Sequence, residues 1–273
     1  MTVQIWYNVF FLKKLYNFII ILNIKAMTKL FLVSAVCICS IALLPSCNIH
    51  SLGPMDHSAR ISKTPTLGSF NSVDIDVSLD AIITMKEGAT PSVQLDGREN
   101  SLKNIQVKVE NNRLVIYSDH NWDFSFSGGD SMSAVITLPV LNSLKLSGSP
   151  DAVIHGTVAG DRLRIVISGS SSVSIDSLNV SDFSTDISGS GDLIVKGGTV
   201  KNADYQVSGS GEIKAFGLQS LETSASISGS GEADVTASQR LSMQVSGSGD
   251  IRYKGHPSVS QSVSGSGSIT DAN

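Results

Sequence analysis

The chain has 273 residues, of which 41% are hydrophobic and 16% are charged, and its formal net charge is −4. Residues 1–46 contain four lysines and no acidic residue, so 16 basic and 24 acidic residues follow, a net charge of −8. A net-negative chain without a basic cluster argues against nucleic acid as a partner. The part after residue 46 is long enough for one or two domains.

The first predicted element is an export signal. Phe31–Leu44 is a 14-residue run without a charged residue, and it follows Lys29 and a second methionine, Met27. This length suits the apolar core of a secretory signal peptide and is too short for a comfortable membrane span. We therefore interpret residues 1–46 as an upstream extension plus a signal peptide, with Met27 as the true start.

Two alternatives stay open for the N-terminal region. The apolar run could be an ordinary signal peptide or an anchor helix, and residues 3–24 could form a membrane helix of their own. Lys13 and Lys14 would lie at the centre of that second helix, where charged side chains are costly in lipid.

The signal ends in Leu44-Pro45-Ser46-Cys47, which resembles the lipobox of bacterial lipoproteins. In such proteins the cysteine is lipidated and becomes the new N-terminus, and its acyl chains anchor the protein to the membrane. We expect Cys47 to be lipidated. Because Asn48 is not the aspartate associated with inner-membrane retention, we expect an outer-membrane lipoprotein of the cell envelope. No cysteine follows Cys47, which excludes a disulfide framework and a thiolate metal site in the exported part.

The region 47–66 contains Gly53, Pro54 and Pro65 with little periodicity, and we interpret it as a tether. In 67–140 the apolar residues alternate with polar ones, the period of a β-strand, as in the segment 73–79. Asn111-Asn112 is a tight-turn signal between two such strands. This part is predicted to be strand-rich, and no sustained helical period follows residue 50.

The region 141–273 repeats one phrase seven times: an aliphatic residue, Ser-Gly-Ser, usually Gly, and often an acid. The copies begin at serines separated by 21, 20, 20, 20, 18 and 18 residues: Ser147, Ser168, Ser188, Ser208, Ser228, Ser246 and Ser264. A fixed period near 20 predicts a β-solenoid in which each repeat is one coil. We expect the glycines to supply positive φ at the corners and the serine hydroxyls to satisfy corner backbone groups.

The strand that opens at 70–73, the strand 114–116 after 107–112, and the serial Ser-Gly-Ser-Gly-Asp/Glu copies together resemble the auto-transporter adhesin head GIN domain family. The resemblance covers residues 66–273. It implies an all-β, right-handed parallel β-helix in an exported protein, and it implies no catalytic residues. The chain shows no series of amphipathic strands for a translocating barrel after the repeats.

Four residues after the first serine of successive copies lie Asp192, Glu212, Glu232 and Asp250. Stacked coils would align these carboxylates in a column, where neighbouring charges repel unless salt or a cation relieves them. We consider two roles, a solvated edge that keeps the rod soluble, and a column that binds Ca²⁺. The five histidines form no ligand cluster, so we expect no other metal or cofactor.

Trp122, Phe124 and Phe126 alternate beside two glycines in a chain with few aromatic residues. They could form a platform for a sugar or peptide ligand. They could equally cover the open end of the solenoid, whose unpaired strand edge needs protection.

These features favour a non-catalytic, lipid-anchored envelope protein that serves as an adhesin or as a scaffold for surface interactions with a glycan or protein ligand. The solenoid ends could also mediate self-association. The alternative is a polysaccharide-active β-helix enzyme, such as a lyase, which would need acids and bases clustered on one face. The candidates for that cluster are Asp161, Arg162, Arg164 and Asp182.

Overall fold

The computed structural model describes residues 58–118 and 132–273. It is nearly all strand, and its coils of about 20 residues stack into a β-solenoid of about six turns. The predicted all-β solenoid is therefore confirmed. Seven copies of the repeat phrase enclose six intervals, which is why seven phrases accompany about six turns.

One short helix, α1 (Glu99–Lys103), interrupts the strands of the described residues, and no helix among them is long and apolar enough to cross a membrane. In chain order the strands are β1 (Arg60–Lys63), β2 (Ser72–Asp76), β3 (Asp80–Met85), β4 (Ser92–Arg98), β5 (Ile105–Glu110), β6 (Arg113–Ser118), β7 (Ser133–Leu138), β8 (Ser143–Gly148), β9 (Ala152–Gly169), β10 (Ser172–Gly189), β11 (Asp192–Val195), β12 (Gly198–Gly209), β13 (Glu212–Lys214), β14 (Leu218–Gly229), β15 (Glu232–Gly247), β16 (Asp250–Lys254), β17 (Ser258–Gly265) and β18 (Ser268–Asp271).

The repeat coils stack in parallel and in register. Ile187 of β10 lies beside Val207 of β12, which lies beside Ile227 of β14, so each step is one repeat of 20 residues. The side chains alternate between the core and the solvent, as the strand period predicts. Each buried position therefore contributes to a column of apolar side chains that runs along the rod.

The coil shortens from 20 to 18 residues at β15. The register between β14 and β15 shifts between Ser220 and Glu222, where the shorter coil must still close. Buried hydroxyls satisfy the displaced backbone there: Ser220 donates to the carbonyl of Thr236 at 2.8 Å, and Thr236 donates to that of Phe216 at 2.9 Å. The change in spacing seen in the sequence thus has a local structural cause.

The N-terminal strands belong to the same stack, but not in chain order. β2 lies between β6 and β8, and β3 lies between β7 and β9, all in parallel. The chain thus forms one inner coil, then an outer one, and then returns to begin the repeats. One aliphatic column results: Ile116, Ile75, Leu146, Ile167, Ile187, Val207, Ile227, Val245 and Val263.

Antiparallel strands cover the N-terminal end of this stack. β5 pairs with β6, β4 pairs with β7, and β1 pairs with β4. The predicted Asn111-Asn112 turn is confirmed, since both residues have positive φ, 51° and 60°, between β5 and β6. Strand β1 lies inside the stretch expected to be a tether, so part of that stretch is ordered by backbone pairing with β4.

The corner glycines are required twice over. Gly209 has a φ of 131°, which other residues adopt only with strain. A Cβ on Gly209 would also collide with the carbonyl oxygen of Gly189 in the preceding coil. The corner backbone is paired from coil to coil, as in the bond from the N–H of Ser210 to the carbonyl of Gly189 at 2.8 Å. Backbone pairing satisfies this corner donor, a role that we expected the serine hydroxyls to fill.

Candidate functional site

The C-terminal parts of β9, β10, β12, β14 and β15 form a flat sheet whose outer surface we call the first face. Its outward columns contain polar residues, because the inward positions between them form the core. One outward column places the following residues side by side on successive coils: Arg162, Asp182, Asn202, Glu222 and Arg240. The next outward column contains Arg164, Ser184, Asp204, Ser224 and Ser242.

A groove with a volume of about 400 Å³ lies between these columns, and we call it the first-face groove. It exists because serines occupy positions 184, 224 and 242 and leave room between the longer side chains of the other column. The groove is lined by Asp182, Phe183, Ser184, Asn202, Ala203, Asp204, Glu222, Thr223, Ser224, Arg240 and Ser242.

Hydrogen bonds between coils hold the polar groups of the groove. Asn202 Nδ2 donates to Asp182 Oδ1 at 2.7 Å, and Arg240 Nη1 donates to Glu222 Oε2 at 2.8 Å. Asp204 Oδ2 accepts a bond from Gln206 Nε2 at 3.2 Å. These bonds orient the side chains and leave further donor and acceptor positions exposed, since carboxylates and guanidinium groups each form several bonds.

The acids and bases considered for an enzyme are used in neighbouring pairs. Arg162 lies beside Asp182 in register, and Arg164 Nη2 contacts Asp186 Oδ2 at 2.5 Å. Such cross-strand pairs of opposite charge are an ordinary way to stabilise a sheet surface. Asp161 precedes Arg162 at the edge of this face.

The four acids of the repeat phrase occupy equivalent positions on successive coils. Asp192 lies beside Glu212, Glu212 beside Glu232, and Glu232 beside Asp250. Glu212 Oε2 accepts a bond from Lys214 at 2.7 Å, which raises the pKa of the lysine, and Asp250 accepts bonds from the N–H and hydroxyl of Ser268. Within the described residues, no group of three or more His, Cys, Asp or Glu side chains is arranged to hold a metal ion.

A second face is formed by the outer side of β3, β11, β13, β16 and the N-terminal parts of β9, β10 and β15. Asp176 bridges two coils there, with His155 Nδ1 at 3.1 Å and Lys196 Nζ at 2.8 Å. The hydrogen bond from Lys196 and that with His155 lower the pKa of Asp176 to about 2. Farther along the rod, Lys254 Nζ lies 4.7 Å from the ring centre of Phe216, a cation–π contact.

Other predicted site residues lie outside the described part of the chain. They are Cys47, the expected lipidation site, and the aromatic residues Trp122, Phe124 and Phe126. Their assigned roles stay predictions.

Sequence reasoning missed the first-face groove, although a signal for it exists. Each residue of its longer side-chain column precedes the first serine of a repeat phrase by six positions, as Asn202 precedes Ser208. The residues at this position are all polar but differ in type, so a search for identical residues overlooks them.

Comparisons with known proteins agree with this architecture. Residues 69–257 match the family described as "Putative auto-transporter adhesin, head GIN domain". Among curated proteins there is no significant match.

Solved structures with the same fold come from related bacteria. A "putative adhesin" from Bacteroides fragilis is 29% identical, with a TM-score of 0.73 over 78% of this chain and 97% of the other. A "putative lipid binding protein" from Parabacteroides distasonis is 25% identical, with a TM-score of 0.65 over 80% and 98%. A "putative adhesin" from the same species is 24% identical, with a TM-score of 0.62 over 79% and 98%.

The family match spans more than half of the chain and includes both the N-terminal coils and the repeats. The resemblance inferred from the sequence is confirmed, and the chain belongs to the head GIN domain family of adhesin-like surface or cell-envelope proteins.

Proposed function

We propose that this protein is a non-catalytic adhesin, held in the outer membrane by a lipid on Cys47, that binds a glycan chain along the first-face groove. The observation that carries the proposal is the groove itself, in which polar groups are fixed in register on four successive coils. The adhesin description of the family and of its solved members supports the same function.

The chemistry of the groove suits a polymer of hydroxyl-bearing units. Asn202, Glu222 and Arg240 present amide, carboxylate and guanidinium groups along one line. Adjacent coils are about 4.8 Å apart, so a long ligand meets a new polar group at each step. Because the partners on neighbouring coils already orient these groups, little side-chain freedom is lost on binding.

The charge of the groove restricts the ligand class. Asp182, Asp204 and Glu222 face a single lining arginine, Arg240. Excess carboxylate repels acidic polysaccharides and accepts hydrogen bonds from hydroxyl or ammonium groups. We therefore propose an uncharged or amine-bearing glycan as the ligand.

Binding without catalysis accords with the pairing of the charged groups. Arg240 bonds Glu222 and Arg164 bonds Asp186, so each is neutralised by a neighbour on the next coil. The comparisons give no support to the alternative of a polysaccharide lyase, and its candidate residues act here as cross-strand partners.

Membrane anchorage is proposed from the sequence between Phe31 and Cys47. A Cys47→Ala variant expressed in the native type of host should appear in the soluble fraction instead of the membrane fraction. Mass spectrometry of the wild-type protein should find an acylated cysteine as the first residue. An unmodified Cys47 in membrane-bound protein would contradict the proposal.

The glycan proposal is tested on the fragment 58–273. This fragment corresponds to the solved relatives, which consist almost entirely of the matching region and fold without the preceding segment. The fragment is applied to an array of neutral, amine-bearing and acidic glycans. Binding to one of the first two classes, with a weaker response to acidic glycans, is the expected result.

The variant Ser224→Trp fills the groove, while Gln219→Trp places the same bulk on another exposed position of β14. Loss of at least tenfold in affinity in the first variant, with an unchanged affinity in the second, would support the groove as the site. Equal affinity in both variants would place any glycan binding elsewhere on the molecule.

A further inference from the structure

The two ends of the rod differ in how their strand edges are covered. At the N-terminal end the aliphatic column terminates in Ile116, which is fully buried beneath β5. At the other end it terminates in Val263 of β17, which is 44% exposed, and Val259 is 40% exposed. The equivalent residues one coil earlier, Val245 and Leu241, are at most 1% exposed. Within the described chain, β17 pairs with β15 on one side and with no strand on the other.

The orientation of the backbone shows which groups of β17 point away from the rod. In the outward column that ends in Ser260, the N–H of Arg164 donates back to the carbonyl of Asn142 at 2.9 Å. Ser266, of the same parity as Ser260, likewise donates back to Gly247 at 2.8 Å. Successive residues of a strand direct their backbone groups to opposite edges. The N–H and C=O groups of Val259, Gln261 and Val263 therefore face the open end.

The sequence of β17 is self-complementary. Residues 258–264 read Ser-Val-Ser-Gln-Ser-Val-Ser, which is the same in both directions about Gln261. An antiparallel pair of two such strands centred on Gln261 places Val259 opposite Val263 of the second copy. The residues whose backbone groups face the edge then coincide with the hydrogen-bonded pairs of the antiparallel ladder.

We propose that two copies of this protein associate through their C-terminal ends, with β17 pairing antiparallel to β17 of the second copy about a two-fold axis at Gln261. The interface is isologous, so the same surface serves both partners. Because directly opposed residues point to one face of a sheet, the valines of both copies continue each other's apolar columns. This buries the side chains that the last coil leaves exposed and pairs the open edge.

The pairing extends the proposed function and rests on it in one respect, the anchorage. Strand β1, the first described element after Cys47, lies at the opposite end of the rod from β17. A pair joined at β17 therefore carries its two tethers at its far ends. With both chains anchored, such a pair connects two facing surfaces and presents two glycan grooves.

Cysteine crosslinking tests the register directly, because residues 58–273 contain no cysteine. In the proposed pair, Ser260 lies opposite Ser262 of the second copy in a non-hydrogen-bonded pair, at a Cα separation of about 4.5 Å. This distance suits a disulfide. The same residues of two copies lie diagonally, at about 7–8 Å, which is too far for a direct bridge. We therefore expect S260C/S262C to form a disulfide-linked dimer on oxidation and each single variant to stay monomeric on a non-reducing gel.

Light scattering after size exclusion measures the association without crosslinks. The wild-type fragment should have twice the monomer mass, and V263K, which places a charge in the apolar contact, should have the monomer mass with an unchanged circular dichroism spectrum. A monomeric wild type, or equal crosslinking of the single and double cysteine variants, would overturn the proposal. Neither measurement involves a glycan, so its outcome is independent of the groove.

Discussion

The repeat coils and the N-terminal coils build the same solenoid by different means. In the repeats, chain order equals stacking order, and each corner carries glycines. In the N-terminal coils, β2 is inserted between β6 and β8, and the corner between β2 and β3 consists of Val77, Ser78 and Leu79 without glycine. Both regions share one column of buried aliphatic residues. The comparison teaches that the column defines the coil, whereas the Ser-Gly-Ser phrase is one solution for turning its corner.

The largest expected effect breaks the corner of a repeat coil. Gly209→Ala adds a Cβ that meets the carbonyl of Gly189 and forces a residue with a side chain into positive φ. We expect a loss of at least about 3 kcal/mol in the free energy of unfolding. Urea denaturation measures it. Gly68→Ala is the control, since its φ is not positive and its Cβ would meet no atom within 4 Å. Similar losses in both variants would contradict the corner argument.

The next prediction tests whether the two regions form one cooperative unit. Ile187→Ala in a repeat coil and Ile116→Ala in the outermost N-terminal coil each remove a fully packed side chain from the shared column. Each should lower the free energy of unfolding by about 2–5 kcal/mol. Both variants should unfold in one transition when followed by circular dichroism and by intrinsic fluorescence. Two separate transitions in the Ile116 variant would show that the N-terminal coils unfold on their own.

A smaller effect concerns the turn that covers the N-terminal end. Asn112 has a φ of 60° between β5 and β6, and a β-branched residue there is strained. Asn112→Val should cost about 1–2 kcal/mol, while Asn112→Gly should be close to neutral. Thermal unfolding of both variants provides the comparison. An unchanged melting temperature in the valine variant would mean that this turn contributes little to the cap.

The smallest effect depends on pH. Lys196 and His155 lower the pKa of Asp176 from 3.8 to about 2. A carboxyl group with a lowered pKa stabilises the folded state above its unfolded pKa, and this contribution is lost as the pH falls from about 4 to 2. Asp176→Asn should remove that part of the pH dependence. Because the side chain is one-third exposed, we expect less than about 1 kcal/mol at neutral pH. Parallel stability curves for wild type and variant between pH 5 and 2 would contradict the assignment.

The sequence predicts the repeat coils well because their period recurs over seven copies, and the Asn-Asn turn because its chemistry is local. It does not reveal that β2 lies between β6 and β8, since this order depends on long-range packing that no repeat marks. The pairing of β1 with β4 is hidden for a similar reason, because Arg60–Lys63 is a short polar segment. The groove escapes notice because small serines create it, and a space between side chains leaves no motif of its own.

The most direct test of the account is a crystal structure of the fragment 58–273 with the glycan that binds it best. We predict that the glycan lies in the first-face groove, parallel to the rod, with hydrogen bonds to Asn202, Glu222 and Arg240. A glycan bound on the second face or at the N-terminal cap, or the absence of any bound glycan at saturating concentration, would contradict the central claim.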